Sequence, residues 1–443
     1  MNDDWLKMTA SDLGRGIEAG RIDPVALCET FLGAIESHPL AARIYARVTP
    51  ERALAEARAA AARAAAGQRV SALDGVPVSW KDLFDTAGIA TEAGSALLAG
   101  RIPERDAEVL ENATAAGTVC LGKTHMSELA FSGLGYNPIT RTPPCVNDPE
   151  AVSGGSSSGA ATSVAFGLAP VGVGSDTGGS VRIPATWNDL VGLKTSSGRL
   201  SLRGVVPLCA SFDTVGPLCR SVEDAALMLG ALEGGRAADL EGASIKGMRL
   251  MILDSVAMDD VRDAPMRGFE QAVERLIAAG AIVERKPVSG VSEALELAGA
   301  LYTPEAYATW QEAIEAAPEK MYSAILKRFQ GGLAYSAVEY VRAWQEMKRL
   351  RESWDAQVAG HDAVILPSSP TLAPNMERVA SDEAFYVSEN LLALRNTRIG
   401  NLFNCAGLTL PTGVPSTGIT FLGGPGSEER LLRIGAAAEA VLV

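Results

Sequence analysis

The sequence predicts an α/β sandwich, and three observations predict it. Short apolar runs at 119–121 and 170–173 sit in a stretch, 73–232, dense in Gly, Ser, Thr and Pro, the pattern of strands buried on both faces. Beyond Gly247, strand-like and helix-like segments alternate at 248–253, 264–279 and 281–284. No polar, flexible boundary interrupts the 443 residues, of which 47% are hydrophobic, so one large core is expected.

The elements follow in order. The first 70 residues read as helices. Ser11 is a candidate N-cap, and Asp23 before Pro24 places a polar cap ahead of a proline at the first turn. The alanine-rich run 51–66 is helical by propensity, with Gly67 as its stop. Longer helical stretches are expected at 304–329 and 335–358, a strand at 363–366 and a closing helix at 428–441. No internal repeat is visible.

A formal charge of −14, from acidic residues scattered along the chain, argues against attraction to nucleic acid or to an anionic membrane. No run reaches the ~18 apolar residues of a membrane span. Asn2-Asp3-Asp4-Trp5 lacks the basic and apolar character of a signal peptide, so a cytoplasmic location is expected. The six cysteines form no Cys-x-x-Cys pair and only three histidines exist, which leaves little material for a thiolate zinc site. Reduced, buried cysteines are the expectation.

The unusual segments are Gly154-Gly155-Ser156-Ser157-Ser158-Gly159 and Gly174-Ser175-Asp176-Thr177-Gly178-Gly179-Ser180. A flexible linker is one reading, but both abut apolar runs. A phosphate-binding loop is another, but no lysine follows in the required place. Nucleophilic catalysis is the third, and it needs a base to take the serine proton. His38 and His361 read as structural. His125 could line a pocket but has no evident orienting partner, so no Ser–His–Asp triad is built from it. Lys81 is the other candidate base: it ends the apolar run 75–80, where burial would favour a neutral amine.

Taken together, three motifs resemble the amidase signature family: Leu73-Asp74-Gly75-Val76-Pro77-Val78-Ser79-Trp80-Lys81-Asp82; Gly154-Gly155-Ser156-Ser157-Ser158-Gly159-Ala160-Ala161; and Gly174-Ser175-Asp176-Thr177-Gly178-Gly179-Ser180-Val181-Arg182-Ile183-Pro184-Ala185. The resemblance implies a large mixed central β-sheet flanked on both faces by helices. It also implies a single amidase domain over 1–443, with the catalytic core at about 73–225 and a helical and strand elaboration at about 247–443. Position by position, Ser180 matches the nucleophile, Ser156 a bridging serine preceded by a cis peptide, and Lys81 the general base. The N–H groups of Thr177, Gly178, Gly179 and Ser180 match the oxyanion hole. Ser157 or Ser158 is expected to hydrogen-bond the lysine amine, and Asp176 to brace the loop. Met126, Phe131 and Trp187 are candidate pocket residues. So is Arg182, which could meet a substrate carboxylate, although a structural role is the expectation there.

The implied activity is hydrolysis of a small carboxylic amide, or of a carbamate or urea-like amide, through an acyl-enzyme. No metal, cofactor, nucleic acid or membrane is called for, and a homodimer is an allowed assembly. The alternative is the A-type subunit of a tRNA-dependent amidotransferase, supplying ammonia from glutamine. The sequence departs from the family pattern at Trp187-Asn188-Asp189 and Lys194-Thr195-Ser196, which leaves the pocket shape open.

Overall fold

Eleven strands form one mixed sheet in the computed structural model, which describes residues 3–442. Asn2, the start of the segment read for a signal peptide, lies outside the described residues. In chain order the strands are β1 (Tyr45–Val48), β2 (Pro77–Lys81), β3 (Val119–Thr124), β4 (Val171–Ser175), β5 (Val191–Lys194), β6 (Val215–Cys219), β7 (Arg249–Asp254), β8 (Ile282–Pro287), β9 (Ala363–Pro367), β10 (Ala406–Pro411) and β11 (Gly418–Gly423). They lie side by side as β1-β3-β2-β4-β6-β5-β10-β11-β9-β7-β8. The β3-β2-β4 and β9-β7-β8 groups are parallel, and the strands between β4 and β9 run antiparallel.

The interior strands β2 to β6 and β9 are buried at every residue, because helices cover both faces of the sheet. The edge strand β8 carries Glu284, Arg285 and Lys286, charges that discourage pairing with another chain. All six cysteines are buried and free. Among the described residues, no helix is long and apolar enough to cross a membrane.

Most element expectations match within a few residues: Asp23 caps Pro24–Ser37 by accepting from the Ala26 N–H, and the alanine-rich helix is Pro50–Ala65. The first 70 residues, expected to be helical, also hold β1, which pairs antiparallel with β3, and two further expectations differ for physical reasons. Thr9, in extended backbone, caps Ala10–Glu18, and the Ser11 N–H instead donates to Asp224 Oδ1 at 2.8 Å. The stretch expected to be helical at 304–329 splits into Ala298–Ala316 and Ser323–Gln330, because Ala317 precedes Pro318 and is driven out of the helical region. The helix Glu383–Leu402 and the hairpin β10–β11 have no counterpart among the expected elements.

The helix Ser158–Ala165 lies directly on β4, and Gly172 makes that approach possible: a Cβ there would stand 2.4 Å from the Ala160 carbonyl oxygen. Gly172→Ala is expected to push this helix off the sheet and lower stability by about 1–3 kcal/mol. Urea unfolding measures it, and an unchanged midpoint and slope would show that the seat has slack.

Candidate active site

Lys81 is the last residue of β2, and Ser175 is the last residue of β4, the strand parallel to it. Their side chains therefore emerge together at one end of the sheet. Lys81 is fully buried, and its Nζ donates to Ser156 Oγ at 2.7 Å and to Ser175 Oγ at 2.8 Å. Burial pushes its pKa down to about 7, although the charges of Asp176 and Asp213 pull it upward. Neither carboxylate bonds to the amine, and that separation is what allows burial to dominate.

Ser156 follows a cis peptide bond from Gly155. The Gly154 and Gly155 N–H groups donate to the carbonyls of Leu134 and Gly133, which pins the loop before the serine. A Cβ at 155 would stand 2.5 Å from the Gly135 nitrogen, so the approach requires glycine. The expectation that Ser157 or Ser158 bonds the lysine is corrected. Ser157 Oγ donates to the Ser175 carbonyl and Ser158 Oγ to the His125 carbonyl, both turned toward backbone as the helix begins. Ser175, inside the third motif but unassigned, takes the place at the amine. Its signal was available in the strand-final positions that it and Lys81 share.

Ser180 lies in a turn built on Asp176. The Asp176 carboxylate is fully buried and accepts from the Gly179 N–H (2.8 Å), from Arg182 Nε and Nη2 (both 3.0 Å) and from Asn401 Nδ2 (2.9 Å). Burial alone would raise its pKa, but Arg182, Lys194 and Asn401 outweigh it and hold the carboxyl well below its usual range. The inclusion of Gly179 in the oxyanion hole is therefore corrected, since its N–H is already committed to Asp176. The N–H groups of Thr177, Gly178 and Ser180 make no hydrogen bond among the described residues. Thr397 Oγ1 donates to the Gly178 carbonyl at 2.8 Å and occupies the space where a Cβ on Gly179 would fall. Ser180 Oγ makes no hydrogen bond among the described residues, so the Ser156–Ser180 step of the expected relay is not closed; such contacts often tighten only when substrate is bound.

A cavity of about 410 Å³ opens over this turn, lined by Thr177, Gly178 and Ser180 at its base and by Phe131 in its wall. Three of the expected pocket residues are elsewhere. Met126 and Trp187 are fully buried in packing outside the lining, and Trp187 Nε1 donates to the Thr371 carbonyl. Arg182 is fully buried and spent on Asp176 and Asn401, so it meets no substrate. His125 is also outside the lining, and burial pushes its pKa down to about 4. The opposite wall comes from Ser323–Gln330 and Glu383–Leu402, through Arg328, Tyr386, Asn390, Leu394 and Arg398, residues that no sequence motif marks. Among the described residues, no cluster of three metal-ligating side chains occurs.

Comparison with known proteins places this geometry. The amidase family model matches residues 26–432. The chain is 33% identical to 2-amino-5-chloromuconic acid deaminase of Comamonas testosteroni, over 85% of this chain and 83% of that one. It is also 33% identical to the A-type subunit of the glutamyl-tRNA(Gln) amidotransferase of Anaeromyxobacter sp. (strain K), over 97% and 95%. The native peptide amidase of Stenotrophomonas maltophilia superposes with a TM-score of 0.85 at 26% identity, over 98% and 97%. A lysine buried between two serines at the end of a mixed sheet thus sits in a chain that belongs to the amidase family, hydrolases acting on amide C–N bonds.

Proposed function

We propose that the protein hydrolyses a small carboxylic amide through an acyl-enzyme on Ser180, with Ser156 and Lys81 as the proton relay. The observation that carries this reading is the 2.7 Å contact between Ser156 Oγ and a fully buried Lys81 amine whose pKa lies near neutrality. Ser180 Oγ attacks the carbonyl carbon as its proton passes to Ser156 and the Ser156 proton passes to neutral Lys81. The oxyanion is met by the N–H groups of Thr177, Gly178 and Ser180; loss of one such donor typically costs about 3–4 kcal/mol. Lys81 returns the proton through Ser156 to the leaving nitrogen, and ammonia or an amine departs. Water then attacks the ester, losing its proton through the same relay, and the carboxylate and free Ser180 are released.

Carbamates and urea-like amides pass through the same tetrahedral species and fall within this reading. A single amidase unit over 1–443 and a cytoplasmic location belong to it as well. The second reading, an A-type amidotransferase component, is favoured by the relative that covers 97% of this chain. Assembly separates the two: a purified chain that releases ammonia from simple amides without partner chains supports the stand-alone enzyme.

The nucleophile is tested with a phosphonyl or sulfonyl fluoride followed by mass spectrometry. Wild type is expected to be labelled at Ser180 and Ser180→Ala not at all; labelling that persists at another serine removes Ser180 from the role. The base is tested by the pH profile. Below about pH 7 Lys81 is protonated and cannot accept a proton, so kcat/KM is expected to rise tenfold per pH unit up to about 7 and level off above. A profile flat between about pH 5 and 9 would mean that another base operates.

A further inference from the structure

The pairing of β4 with β6 does not stop at the last strand residue. Ser175 stands opposite Val215, and the same antiparallel register sets Asp176 opposite Thr214 and Thr177 opposite Asp213. Asp176 and Thr214 exchange both backbone hydrogen bonds: the Asp176 N–H donates to the Thr214 carbonyl at 2.8 Å and the Thr214 N–H to the Asp176 carbonyl at 3.1 Å. Thr214 Oγ1 adds another to that carbonyl at 2.7 Å. The Asp176 carbonyl and the Thr177 N–H belong to one planar trans peptide, so they point in opposite directions. The Thr177 N–H is thereby aimed away from β6, toward the flank of β4 that β2 and Lys81 occupy.

The next pair is made by side chains. Thr177 Oγ1 donates to Asp213 Oδ1 at 2.5 Å, and Asp213 Oδ2 accepts from the Leu208 and Cys209 N–H groups at 2.9 Å and 3.1 Å. Thr177 and Leu208 both line the cavity, so one carboxylate ties the Ser180 turn to the cavity wall. Asp213 is buried, and among the described residues no cation pairs with it, whereas Asp176 has Arg182. A buried carboxylate without a counter-ion is unfavourable, and a neutral amide could join the same segments; what only the carboxylate supplies is charge. That charge reaches Lys81: after Asp176, Asp213 pulls the amine's pKa upward against burial. Burial raises the pKa of Asp213 itself, and the Thr177 hydroxyl and the two N–H groups oppose the rise. Its other titratable neighbours are Cys209 and Glu305, and Glu305 is turned to the Ser211 N–H at 2.9 Å.

We propose that Asp213 is a positioning residue for the reaction, holding Thr177 so that its N–H meets the oxyanion and placing a fixed negative charge within reach of Lys81. It touches no substrate; it acts through the Thr177 hydroxyl and through space. The oxyanion role rests on the amidohydrolase reading, while the action on Lys81 stands on the buried carboxylate alone. Both follow from the register of β4 on β6, which brings Asp213 to the turn from a separate loop.

The test compares the full chain with Asp213→Asn, Thr177→Val and Thr177→Ser, each checked for an unchanged thermal unfolding midpoint. Asp213→Ser and Thr177→Ala stand in for a variant that does not fold. Asparagine keeps the size and can still bond Thr177 and the two N–H groups, so it removes the charge alone. The side-chain NMR signal of Lys81 in lysine-labelled protein, assigned by its loss in Lys81→Met, reads the amine without turnover. In Asp213→Asn its titration is expected about 0.5–1 pH unit below that of wild type, because loss of a nearby negative charge disfavours the ammonium. The acid limb of kcat/KM is expected to move the same way. Thr177→Val keeps the charge and loses the bond: kcat is expected to fall about 10- to 100-fold with KM within about twofold, since an oxyanion donor acts in the transition state. Thr177→Ser restores the hydroxyl and most of kcat. An unmoved Lys81 titration in Asp213→Asn, a wild-type kcat in Thr177→Val, or a valine effect confined to KM would overturn the proposal. Failure of the amidohydrolase reading looks different: the wild-type chain is neither labelled at Ser180 nor active on any amide, yet the Lys81 titration still moves in Asp213→Asn. The oxyanion role then falls with that reading and the charge role stands.

Discussion

The arrangement depends on an amine held where water cannot reach it. Lys81 enters the interior from the end of β2, between two strands buried on both faces, and meets hydroxyls in place of carboxylates. Had Asp176 or Asp213 been in contact, an ion pair would have kept the amine charged and useless as a base. Both acids are instead satisfied by other groups: Asp176 by Arg182 and Asn401, Asp213 by Thr177 Oγ1 and the N–H groups of Leu208 and Cys209. Burial thus lowers the pKa of the amine, and the effect is preserved by giving the nearby carboxylates other partners.

The same economy shapes the turn before Ser180. Asp176 gathers the Gly179 N–H and the Arg182 side chain, which fixes the direction in which the remaining N–H groups point. That turn is held from the other side by the helix Glu383–Leu402, through Thr397 on the Gly178 carbonyl and Asn401 on both Asp176 and Arg182. Removing Asp176 or Arg182 from this buried set would leave the other's charge unpaired, a loss typically of about 3–5 kcal/mol. One helix therefore clamps the Ser180 turn with Thr397 and Asn401 and presents Arg398 and Leu394 to the cavity. The turn and the cavity wall are joined mechanically through it.

The groups around Lys81 and Ser180 come from strand ends and the turns that follow them, while the cavity wall is assembled from helices far along the chain. The departures at Trp187-Asn188-Asp189 lie away from the cavity lining. Trp187 is packed in the core, and the Asn188 amide donates to the Ser153 and Pro184 carbonyls, so this segment supports the Ser156 loop from behind.

What the sequence by itself determined is the part written in contiguous residues: an α/β architecture from buried apolar runs, the lysine strand, and the two Gly/Ser segments whose glycines are required where backbone meets backbone, as at Gly155. Helix ends were legible where a local rule acts, as at Asp23-Pro24, and misread where a distant partner intervened, as when Asp224 drew the Ser11 N–H. The tertiary structure alone decided which serine accompanies Ser156 at the amine, which N–H groups remain available near Ser180, and which arginine faces the cavity. Arg182 lies two residues from Ser180 yet is consumed by Asp176, whereas Arg398 is 218 positions beyond it and reaches the same turn. The reason is physical: a strand or a glycine turn declares itself through its own backbone requirements, but the availability of a polar group depends on whether a partner from elsewhere in the chain has already satisfied it.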